Sequence, residues 1–104
     1  MKLLITTLPD RAQAEALARE LVEQGLAACA QIEAIHSLYR WDGQLCSEPE
    51  QRVLLKTSDA ALPALLAAVR ARHPYDLPAL YTLSPDWSDP AFAAWVTRSC
   101  PPPR

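Results

Sequence analysis

Two glycines, Gly25 and Gly43, serve 104 residues, so the chain has no glycine-rich loop to cradle a phosphate and nucleotide binding of the P-loop type is not expected. Cysteine is nearly as scarce. Cys29, Cys46 and Cys100 are odd in number, widely spaced and without a Cys-x-x-Cys pair, which argues against a disulfide framework and a self-contained zinc site. No apolar run approaches the ~20 residues that cross a bilayer, and the N-terminus shows no signal-peptide core or cleavage site. A cytoplasmic protein with no membrane partner is expected. Basic residues are outnumbered, 10 Lys and Arg against 12 Asp and Glu, and the formal net charge is -2. Without a positive field, and without the aromatic signature of an RNA-recognition motif, nucleic acid is not expected as a partner.

What is present is globular: half the residues are hydrophobic and 21% are charged, in a chain of single-domain length. Its organising stretch runs from Gly25 to Gly43. Gly25 follows a helical pattern and suits the left-handed residue that ends a helix, so a long strand is predicted from about Leu26. Trp41-Asp42-Gly43 closes it with a type I′ hairpin signal. Ala28, Ala30 and Ile32 share one face, but Ile35 is apolar in the opposite phase, which predicts a bulge near Glu33 to Ile35. The return strand is expected to break near Pro49 before Val53-Leu54-Leu55.

Around this hairpin the remaining elements follow from periodicity. Leu3-Leu4-Ile5 reads as a central buried strand. Asp10 and Gln13 form a capping box for a helix whose inner face is Ala14, Leu17, Ala18 and Leu21, with Glu15 and Arg19 spaced for an ion pair. Ser58-Asp59 should cap a second helix facing inward through Leu62, Leu65, Leu66 and Val69, with His73 continuing that face before Pro74. Pro78 to Leu83 reads as the last main strand, and a short helix from Ser88-Asp89-Pro90 carries Phe92, Trp95 and Val96. This order gives an α+β, ferredoxin-like split β-α-β fold: an antiparallel sheet, both main helices on one face, a long β-hairpin and a short C-terminal helix. Leu38, Tyr39, Trp41 and Leu45 on the hairpin call for oligomer contacts to cover them.

Thr6-Thr7 with Pro9-Asp10, Gly25-Leu26-Ala27-Ala28-Cys29, Tyr39-Arg40-Trp41-Asp42-Gly43, Glu50, Leu55-Lys56-Thr57, His73-Pro74-Tyr75 with Pro78, and Trp95 together resemble the CutA divalent-ion tolerance proteins across nearly the whole chain. The resemblance implies one CutA-like domain over residues 1–100 with a proline-rich tail at 101–104. It also implies a PII-like homotrimer whose hairpin arms join sheets between subunits, with clefts at the subunit boundaries. Its functional implication is copper and other divalent-metal tolerance, with no reaction attached, so the chain is not expected to be an enzyme. Some members bind copper through a first-strand cysteine and two adjacent histidines before Pro-Tyr. Here Thr6 and Arg72 occupy two of those positions, leaving His73.

His73 is therefore the candidate metal ligand, for copper or another divalent ion, with Cys29 or Cys46 as co-ligands, and weak binding is expected because one imidazole cannot hold such an ion tightly. Each also has a plainer reading: His73 as a hydrogen-bonded structural residue, Cys29 as a small hydrophobe, Cys46 as an exposed thiol. Tyr39, Trp41, Glu50, Lys56 and Tyr75 are placed by the resemblance at the inter-subunit cleft, either as a binding lining or as a polar and aromatic interface cluster. The alternative function is a PII-like sensor or scaffold that binds a small ligand in that cleft and signals to a protein partner.

Overall fold

The computed structural model describes residues 1–103, so Arg104 of the proline-rich tail lies outside the described residues. Seven elements follow in order: β1 (Lys2–Leu8), α1 (Arg11–Glu23), β2 (Cys29–Trp41), β3 (Gln44–Thr57), α2 (Leu62–Arg72), β4 (Leu80–Leu83) and α3 (Pro90–Ser99). The sheet order is β2-β3-β1-β4, antiparallel throughout. This is the expected ferredoxin-like α+β arrangement, with β1 inside the sheet.

Helix α1 begins as its cap requires. Asp10 accepts the Gln13 backbone N–H at 2.8 Å, while the Gln13 side chain bonds the Asp10 carboxylate rather than the cap's own backbone. The i, i+4 ion pair within it is Arg11–Glu15 at 2.8 Å, not the Glu15–Arg19 pair expected from spacing. At its end Gly25 has φ +71°, and the Gly25 and Leu26 N–H groups donate to Val22 and Leu21, a Schellman stop. Ala27 donates to Leu21 as well, so the chain is still satisfying helix carbonyls where the strand was expected to start. Hence β2 begins at Cys29, not Leu26.

The predicted bulge is absent. Register runs unbroken from Cys29 opposite Lys56 to Trp41 opposite Gln44. The apolar phase changes because the cover changes: Ala30 and Ile32 lie over the helices, whereas Ile35 lies beyond them and faces the other side. The break at Pro49 is absent too. Pro49 sits opposite His36, and β1 has already ended at Leu8 opposite Gln51, so no neighbour on that edge loses a donor. Counting from the closing pair Trp41 and Gln44, Pro49 also falls at a non-hydrogen-bonded position of the ladder to β2. Asp42 (φ 50°) and Gly43 (φ 74°) make the turn.

Two other boundaries move. Ser58 accepts the Ala61 N–H and donates to the Cys100 carbonyl, so it caps a lead-in turn, and α2 proper starts at Leu62. Strand β4 starts at Leu80, with Pro78 and Ala79 as its approach. The core lies between the sheet and α1–α2: Leu4, Leu8, Val53 and Leu55 from the sheet meet Leu17, Leu21, Leu65 and Val69. Seven residue pairs of β2 and β3 extend past the end of β1, a bare arm about 23 Å long at ~3.3 Å per residue.

Candidate functional site

The site grows from the end of α2. His73 is its C-cap, turned to extended backbone (φ -72°, ψ 134°) by the proline that follows. That places the imidazole, half-buried, against the end of β1. Nδ1 lies 3.1 Å from the Tyr75 backbone nitrogen, which can only donate, so Nδ1 holds a lone pair and Nε2 the proton. Nε2 then donates to the Thr7 carbonyl at 3.0 Å, with Thr6 Oγ1 also at 3.0 Å. Burial holds the His73 pKa below its ordinary value, partly opposed by the Thr7 carbonyl and the Glu50 charge.

Through Tyr75 this bond set reaches the arm. The Tyr75 hydroxyl donates to Glu50 Oε2 at 3.1 Å, and burial with the Glu50 bond pushes its pKa up to about 12. Tyr39 repeats the pattern: its hydroxyl donates to Glu48 Oε1 at 3.1 Å, which raises its pKa. Glu48 and Glu50 alternate on one face of β3, the face that also carries Tyr39 and Trp41. Between this face and the Pro74–Ala79 loop runs a cleft of about 730 Å³.

Four of the five expected cleft residues, Tyr39, Trp41, Glu50 and Tyr75, line this one cleft. Lys56 does not join them within one chain: it lies about 20 Å further along β3 at ~3.3 Å per residue, its ammonium 5.4 Å from the centre of the Phe92 ring. Glu48 and Asp76 belong to the lining and were missed. Glu48 was legible in principle from its two-residue spacing to Glu50.

A resident metal does not fit one chain. Both His73 nitrogens are committed to backbone partners. Cys29 and Cys46 face Lys56 and Tyr39 at opposite ends of the hairpin, and neither is brought to the imidazole. Among the described residues no group of three His, Cys, Asp or Glu side chains converges on a point where an ion could sit.

A ferredoxin-like α+β sheet with two helices on one face and a long protruding hairpin is the fold of PII-like proteins. The structure of a PII-like protein CutA from Nostoc sp. PCC 7120 in apo form aligns with a TM-score of 0.91 at 32% identity, over 96% of this chain and 97% of that one. CutA from Synechococcus elongatus PCC7942 aligns with a TM-score of 0.93 at 40% identity, over 96% and 89%. In sequence, the divalent-cation tolerance protein CutA of Escherichia coli is 37% identical over 97 residues, covering 92% of this chain and 87% of that protein. The family model described as CutA1 divalent ion tolerance protein matches residues 2–99, and the chain belongs to this family.

Proposed function

We propose that the chain is a cytoplasmic homotrimer that responds to divalent metal ions, copper among them, through weak and exchangeable binding rather than through a resident centre or a catalysed reaction. The observation that carries the weak-binding reading is the bond set of His73. A metal ion that takes Nδ1 must displace the Tyr75 N–H, and one that takes Nε2 must displace a proton shared with Thr7. Cys46, half-buried in the arm, is the thiol that a neighbouring subunit can approach, and Cys29 lies at the arm's root.

Trimerisation draws support from apolar surface that one chain leaves uncovered. Trp41, Leu38 and Leu45 on the arm, Tyr81 and Leu83 on the open sheet face, and Trp87, Phe92 and Trp95 near α3 are all exposed. Calorimetric titration with Cu(II) tests the metal reading. The expected Kd is no tighter than about 1 μM, and His73→Ala removes most of the binding. Nanomolar affinity that survives His73→Ala would overturn this assignment.

A further inference from the structure

Strand β3 is charged unevenly along one face. Glu48, Glu50, Arg52, Leu54 and Lys56 alternate onto one side of the sheet, opposite to Val53 and Leu55, which face the helices. At the arm end Glu48 and Glu50 border the cleft with Asp76, and no lysine or arginine lines it. Tyr75 and Tyr39 each supply one hydroxyl hydrogen to these glutamates, which leaves the second carboxylate oxygens as acceptors. Midway, Arg52 is neutralised by Glu33 at 2.8 Å. At the root stands Lys56, half-buried and in no salt bridge among the described residues, its ammonium 5.4 Å from the centre of the Phe92 ring. Register puts no other cation on this face of the four strands: Arg40 alternates to the other side of the arm, and Lys2, opposite Thr57, to the helix side.

Copies that cover this face take both of its ends out of water. A carboxylate pair and an ammonium buried apart are each costly, and within one chain they cannot meet, since Glu50 and Lys56 lie about 20 Å apart along β3 at ~3.3 Å per residue. Between copies they can. We propose that the Lys56 ammonium of one subunit enters the acidic cleft of the next and pairs with Glu50 and Glu48. This pairing rests on the trimer reading and adds a direction to it. Each subunit gives a basic end to one neighbour and an acidic end to the other, a head-to-tail contact that three copies close into a ring.

The experiment is zero-length carbodiimide crosslinking of the intact protein, with peptide mass spectrometry of the crosslinked bands and sedimentation equilibrium of the same sample. Lys2 and Lys56 are the only lysines, and Lys2 donates to Ser84, so amide crosslinks are few and assignable. A Lys56 to Glu50 or Lys56 to Glu48 amide is expected in the dimer and trimer bands, and the separation of about 20 Å within a chain means that it joins two subunits. Lys56→Arg, which keeps the charge and removes the amine, should assemble and lose the crosslink. Lys56→Glu and Glu50→Lys should each weaken assembly by at least ~10-fold, and the double variant should recover most of that loss. Where Glu50→Lys does not fold, Glu48→Lys, on the exposed arm, gives the same readout. A trimer with neither crosslink nor recovery would overturn the pairing and leave the trimer standing. A monomer or dimer in sedimentation would overturn both.

Discussion

His73 acts as a strut. Its two nitrogens tie the end of α2 to β1 on one side and fix the Tyr75 backbone on the other, and Tyr75 in turn holds Glu50. Loss of this part-buried set in His73→Ala should cost about 1–3 kcal/mol, measurable by urea unfolding at pH 8. The folded pKa lies below the unfolded value of 6.5, so the unfolded chain binds the proton more readily. The histidine's contribution is therefore complete above pH 6.5 and is lost as pH falls through the folded pKa. Urea midpoints measured from pH 8 to pH 5 should decline on this account, and His73→Gln should make the decline shallower. Of the candidate site, Tyr39, Trp41, Glu50 and Tyr75 were singled out by the family pattern as residues of a cleft between subunits, and within one chain they border a single groove. The state of His73 was not legible. Its Nε2 bond runs to a backbone carbonyl 66 residues away in the chain, and side-chain periodicity carries no information about such a partner.

Among the elements, the helices were the most legible and the strand boundaries the least. Asp10 and Gly25 mark the ends of α1 because capping is local chemistry: an acceptor for a free N–H and a backbone that accepts positive φ. The bulge predicted at Glu33 to Ile35 failed because strand phase was read as if one layer of helices covered the whole hairpin. Past Ile32 the cover is gone, and both faces of the arm answer to other neighbours. Pro49 misled for a related reason, since a proline breaks a ladder only where a partner needs its missing N–H. A Cβ at Gly25 would meet only the Ser99 carbonyl at an ordinary 3.7 Å, so Gly25→Ala should cost only the strain of left-handed backbone. That is about 1–2 kcal/mol in thermal or urea unfolding, with Gly25→Asn costing less. On the arm, Trp41→Ala should cost about 3–5 kcal/mol if the ring is buried in the assembled protein, and an unchanged melting temperature would show that it stays in solvent.

The molecule measures 45 × 28 × 20 Å, a shape drawn out by the bare arm. Sedimentation equilibrium at micromolar concentration should give three times the chain mass of 11.5 kDa, and a monomer or dimer would sink the trimer. One further consequence follows from β2 standing at the edge of the sheet. Its 13 residues run without a proline, and among the described residues no strand lies beside the outer row of N–H and C=O groups. Such an edge, next to Leu38 and Tyr39, is a template on which stray chains can stack. A lone subunit should then be short-lived in solution: dilution or mild acid that separates the chains should raise light scattering before any soluble monomer accumulates. Assembly would serve the protein as its defence against fibre-like growth.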